Sequence, residues 1–164
     1  MKNFFVYLGI FMVLLFCVVC FTDYGAVEIT VLQFNQELQS ACENASGMIQ
    51  PGDFGEGYYT FNDSEVIKQV EQAVRSEADT KIEILDKAGK RTYERDEAGD
   101  FKKTGNEAVS FPYEFMDYKG KSVLVGNPAV VVTSTISGNF YKVFKKEQSY
   151  TRQVMYEAVG YADL

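Results

Sequence analysis

Few residues in this chain have the types and spacing that chemistry needs. Histidine is absent, which removes the commonest general base and the commonest zinc ligand. The cysteine pair Cys17-x-x-Cys20 has redox spacing, but both thiols lie inside an uninterrupted apolar run, where a thiol behaves as a small hydrophobe. Without histidine, Ser with Lys is the remaining nucleophilic dyad. Ser110, Ser122 and Ser137 have lysines nearby in sequence, yet none stands in a recognisable motif. A carboxylate pair such as Glu83 and Asp86 would suit glycoside chemistry, with no feature to single it out. The glycine-rich stretch 51–61 is not followed by GK[ST], and its Asp53 and Glu56 would repel phosphate. The acidic stretch from Asp86 to Asp100 lacks the order of a calcium loop. Asn44-x-Ser46 and Asn62-x-Ser64 match the glycosylation triplet, a pattern that also arises by chance. The residues therefore predict no catalytic, cofactor-binding or metal site, no enzyme activity and no small-molecule substrate.

Composition points the same way. Lys and Arg number 16 and Asp and Glu 23, for a net charge of -7. Lys2 is the only charge before Asp23, so the remainder carries 15 basic and 23 acidic residues, or -8. Such acidity excludes phosphate-backbone binding as a leading function, and no nucleic-acid partner is expected. Aromatics are 15% of the chain, with 13 Phe and 11 Tyr, which favours a β-rich core. One cysteine beyond the apolar run, Cys42, cannot build a disulfide framework.

The elements that would position anything begin with the first fifty residues. Phe4 to Phe21 is uncharged and apolar on every side, and Asn3 with Thr22 brings it near the ~20 residues of a membrane span. Residues 1–22 are read as an uncleaved transmembrane segment. A secretory signal would have a shorter apolar core and small residues at its cleavage site. Lys2 favours a cytoplasmic N terminus, which places the acidic domain outside the cytoplasm.

Residues 23–50 continue the same helix as an amphipathic extension. Val27, Val31, Phe34, Leu38, Ala41, Ala45 and Met48 follow one another at spacings of four and three, a 3.5-residue stripe. Carried backward, the stripe meets Tyr24, Cys20, Cys17 and Val13. A helix from residue 3 to 49 would be roughly 70 Å long at ~1.5 Å per residue. Gly47 and Pro51-Gly52 would stop it, and Gly25 marks the expected place for a hinge or local unwinding. Two partners suit the stripe: the chain's own domain, or copies of itself.

Residues 51–164 read as an extracytoplasmic α+β domain. Asn62 and Glu65 have capping-box spacing before a short helix that ends near Asp79. Lys81–Asp86 and Arg91–Arg95 read as strands, Asp96–Glu107 as a charged loop, and the alternating segment from Val109 to Met116 as a strand whose Pro112 marks an edge strand or a bulge. Ser122–Val125, Ala129–Ser137 and Phe140–Phe144 read as a meander. Tyr150–Val159 fits either a strand or a helix. The expected fold is a long spine helix, a short second helix and an antiparallel sheet of four to six strands, with the spine covering the sheet.

An apolar run that passes into a Gln-, Asn- and Ala-rich helix (LQFNQELQSACENASG) ahead of a small sheet domain resembles the plan of type IV pilins and the TadE-like minor pseudopilins. The resemblance covers residues 4–50. Family members carry a basic leader and a glutamate just inside the helix; here Met1-Lys2-Asn3 precede the run, and no acid lies between Phe4 and Phe21. The resemblance implies a membrane-anchored structural subunit of a pilus-like or secretion/conjugation apparatus, with lipid around its anchor and homo- or hetero-oligomeric partners at its N-terminal helix. The alternative is a ligand-binding or sensor domain of the envelope on a helical stalk.

Overall fold

The computed structural model describes residues 2–50, 60–96, 98–138 and 147–158. Its architecture is α+β: a long helix α1 (Lys2–Ser46), a short helix α2 (Asp63–Ala73), a five-stranded antiparallel sheet and a two-stranded one. Free of proline, α1 runs through Gly25 without a break, so the expected hinge is not there. It closes with backbone bonds from Gly47 N to Asn44 O (3.2 Å) and Met48 N to Ala45 O (3.1 Å), the tighter pattern common at helix ends. Among the described residues, α1 is the one helix long and apolar enough to cross a membrane; its most apolar stretch has a mean hydropathy of 2.9 and is wholly exposed.

A single antiparallel bridge between Ile49 and Phe61 joins the end of α1 to the approach of α2. Asn62 stands at the N-cap of α2 but makes no side-chain cap bond; its Oδ1 accepts from Ser64 Oγ at 2.7 Å instead. The helix ends at Ala73, short of the expected Asp79, because Val74 turns to an extended conformation.

The strands are β1 (Asp79–Asp86), β2 (Gly89–Arg95), β3 (Phe101–Glu107), β4 (Tyr113–Met116), β5 (Ser122–Val125), β6 (Ala129–Gly138) and β7 (Gln148–Glu157). The large sheet has the order β3-β2-β1-β6-β7, with every pairing antiparallel. Side chains alternate between its faces. Ile82, Ile84, Val130, Val132 and Ile136 join the helices in one core. Leu85, Ala129 and Val131 point the other way and meet Phe115 and Val125 of the β4–β5 hairpin in a second, smaller core. Three layers result, with the sheet between helices and hairpin.

Several expectations are corrected. The charged stretch before Glu107 contains β3: an edge strand needs no apolar face, and Lys102 and Lys103 blunt its open side. The meander is not formed, because β5 pairs with β4 in the separate small sheet while β6 lies between β1 and β7. Only Tyr113–Met116 of the segment after Val109 is strand. The tail resolves as β7, in register with β6 over ten consecutive pairs. Phe140–Phe144 and most of the glycine-rich stretch lie outside the described residues.

Leu38 sits at the centre of the α1–sheet contact and is fully buried. Leu38→Ala is expected to destabilise the domain by about 2–5 kcal/mol through lost burial plus a cavity. Denaturant unfolding of the detergent-solubilised chain measures this. Val13→Ala, on the exposed half of α1, is expected to leave the same transition unmoved.

Candidate functional site

The stripe on α1 divides into two environments. Val13, Cys17 and Tyr24 are exposed, and Cys20, Val27 and Val31 are partly so. From Phe34 onward Leu38, Ala41 and Ala45 are buried in the main core, and Met48 packs against it partly covered. Cys42, outside the stripe, is buried too, because a helix lying on a sheet covers a face wider than a 3.5-residue seam. The small Ala41, Cys42 and Ala45 side chains let α1 come close to β6 and β7, and the Cys42 thiol donates to Val130 O at 3.2 Å. Flanking polar groups fix the rotation of the helix. Asn35 Nδ2 donates to Tyr150 Oη at 3.4 Å, Gln39 Nε2 donates to Tyr156 Oη at 3.0 Å, and Phe34 meets Tyr150 edge-on at 6.0 Å.

The second constellation was not legible as a site in the sequence. Arg91 on β2 lies between two carboxylates. Its Nη1 and Nη2 donate to Asp86 Oδ1 and Oδ2 at 2.6 and 2.7 Å, while Nε and Nη2 donate to Asp63 Oδ2 and Oδ1, both at 2.7 Å. Asp86, fully buried at the end of β1, also accepts from Phe61 N and Ala88 N, each at 2.9 Å. Tyr93 Oη donates to Asp63. One guanidinium thus joins the first turn of α2, the β1–β2 hairpin and the residue that re-enters after the 51–59 segment. Burial alone would lower the Arg91 pKa, but hydrogen bonds and charge from Asp86 and Asp63 outweigh it and raise it. Tyr93 is pushed up to about 12 by burial and by its bond to Asp63.

This node borders an open cleft of about 490 Å³ lined also by Gln50, Thr60, Asn62 and Ala88. Two carboxylates against one cation leave it no attraction for anions, and the fork of Arg91 is already engaged on both sides. The sequence-level candidates do not converge. Glu83 points to the opposite face of β1 from Asp86, pairing with Lys90 at 3.1 Å and Lys81 at 3.5 Å. Ser122 Oγ donates to Glu114 Oε1 at 2.5 Å, and Ser110 and Ser137 are exposed. Among the described residues, no group of three or more Cys, Asp or Glu is placed to hold a metal ion. Across the hairpin, Arg91 pairs with Ile84, one diagonal step from Asp86, so that ion pair follows from the β1–β2 register; Asp63 arrives only through tertiary packing.

No protein-family model, curated protein or solved structure matches this chain.

Two measurements follow from these environments. Arg91→Met is expected to cost about 3–5 kcal/mol, because it leaves buried Asp86 without its cation. Replacing the exposed Lys103 by Met serves as the neutral control in the same denaturant assay. Burial pushes the Cys42 thiol up to about 12. A raised acid favours the proton-bound fold, so its contribution is whole below about pH 9 and is lost as pH rises toward 12. Stability measured across that window is expected to fall less steeply in Cys42→Ala than in the parent. Tyr93 contributes a limb in the same direction that the variant retains.

Proposed function

We propose that this protein is a membrane-anchored structural subunit of a pilus-like or secretion/conjugation apparatus, with its N terminus in the cytoplasm and its domain outside. The observation that carries the reading is the division of α1. Its C-terminal part is seated on the chain's own sheet through Phe34, Leu38, Ala41 and Ala45, while no residue from Phe4 to Phe21 is buried. A helix built this way offers a free apolar rod held by a folded head. Lipid covers such a rod in a monomer; lipid and sister helices share it in an assembly.

The division also narrows where sister chains meet. Residues from Phe34 to Ala45 are spent on the sheet, so packing between copies falls to Val13, Cys17, Cys20 and Tyr24. The plan of spine helix and sheet head resembles that of pilins in outline, and the Arg91 cluster, its guanidinium engaged on both sides, offers no competing chemistry.

Single cysteines at positions 13, 17, 20 and 24, in a chain otherwise lacking Cys17 and Cys20, are expected to form disulfides between copies in native membranes. Cysteines replacing Leu38 or Ala41 are expected not to. Absence of inter-chain bonds at all four upper positions, together with a monomer by light scattering in detergent, would sink the assembly reading and favour the stalked ligand-binding domain.

A further inference from the structure

The apolar run of α1 does not end at the same height on every side. Toward the sheet it ends at Asp23, which is buried and stands eleven residues, about three turns, before Phe34 on the same face. On the opposite side it goes on. Ile29 lies two and a half turns before Leu38, and so points away from the sheet. Phe21 (78% exposed), Ile29 (57%) and Leu32 (54%) form a face, with Gly25 between them and the exposed carboxylate of Glu28 on its flank, that the domain leaves uncovered. Gln36 ends it.

Three observations say what covers this face. It is continuous with the exposed apolar surface of Phe4–Phe21, from Phe11, Leu14 and Val18 along the same side. The hydroxyl of Thr22, on the Ile29 flank of this face, needs no water: its Oγ1 donates to Val19 O at 2.9 Å. Such back-bonding satisfies hydroxyls where the surroundings are apolar. Finally, no lysine or arginine occurs between Lys2 and Lys68, so nothing here would grip an anionic surface by charge.

We infer that the outer face of α1 from Phe21 to Leu32 lies in lipid, so that the helix leaves the bilayer tilted and lies between the membrane and the sheet. The inference rests on the reading of α1 as a membrane anchor. Measured along this face, Phe4 to Leu32 spans roughly 43 Å at ~1.5 Å per residue, against a hydrocarbon core of about 30 Å. A tilt near the upper end of the ~0–40° range takes up most of the excess, and the headgroup layer takes the remainder. Held in this way, the contact is apolar apart from Glu28, whose carboxylate must reach the headgroup layer.

The test uses the full chain with Cys17→Ala and Cys20→Ala, reconstituted in phosphatidylcholine vesicles. Nitroxide labels go on Leu14→Cys, Ile29→Cys, Leu32→Cys and Glu43→Cys, with native Cys42 shielded by burial. The ratio of oxygen to nickel-chelate accessibility is expected to be several-fold higher at positions 29 and 32 than at 43, and unchanged by salt. Equal ratios at 29, 32 and 43 would overturn the inference, since the face would then be wet. Labels at 29 and 32 shielded from both reagents and broadened by a neighbouring copy would overturn it in favour of a sister helix. A water-accessible label at position 14 would instead overturn the anchor itself.

Discussion

Everything in this protein depends on the seating of one helix on one sheet. Phe34, Leu38, Ala41, Cys42 and Ala45 fill the groove above β6 and β7, and a buried leucine or phenylalanine contributes about 1.5–3 kcal/mol by leaving water. Two alanines and a cysteine in that list keep the helix axis close to the strands. Asn35 and Gln39, bonded to Tyr150 and Tyr156, then fix its rotation. Because α1 continues without a break, the same contacts decide which side of its apolar half faces where. The sheet is buried on that side only because the helix is there, so neither element is complete without the other.

The second helix is held by buried area and by charge together. It buries Val66 and Val70 in the main core, with Ile67 and Ala73 packed beside them, and three arginines fasten its two ends. Arg75 reaches Glu37 on α1 at 3.2 Å. Arg91 binds Asp63 at the start of α2, and Arg95 Nη1 donates to the carbonyls of Arg75, Ser76 and Ala78 just past its end. These carbonyls belong to the irregular link between α2 and β1, and one guanidinium satisfies all three. The cost of burying Asp86 is offset by four hydrogen bonds, two from Arg91 and two from backbone. That saturation explains why the cluster, although it borders a cleft, reads as a fastening rather than a reactive centre.

What the sequence disclosed and what it withheld divide along a physical line. Periodicity is local, so the long helix, the α2 face and the alternation of β1 could be read from residue order. Pairing is not local. Ser122–Val125 looks like a strand from its own residues, but nothing in them says that it joins β4 rather than β6. Polarity misled at β3, where Lys102 and Lys103 suggested a loop although an edge strand tolerates water on both faces. The stripe on α1 showed which side of the helix is apolar without showing that its cover is full from Phe34 onward and thins before it. The Arg91 cluster was half visible: the hairpin brings Arg91 to Asp86, whereas Asp63 depends on where α2 comes to rest.

The absence of any break at Gly25 has a mechanical consequence. From Leu38 to Phe4 the helix extends roughly 51 Å at ~1.5 Å per residue. It is a rigid lever with its fulcrum in the sheet, and a turn of about ten degrees at Leu38 displaces the far tip by about 9 Å on that same geometry. Repacking beneath Phe34 or Ala45, too small to alter the fold, would therefore re-aim the entire apolar rod. Substitutions in the domain core and substitutions at the distal tip act on one shared angle, which makes the packing of the sheet a determinant of what the other end can reach.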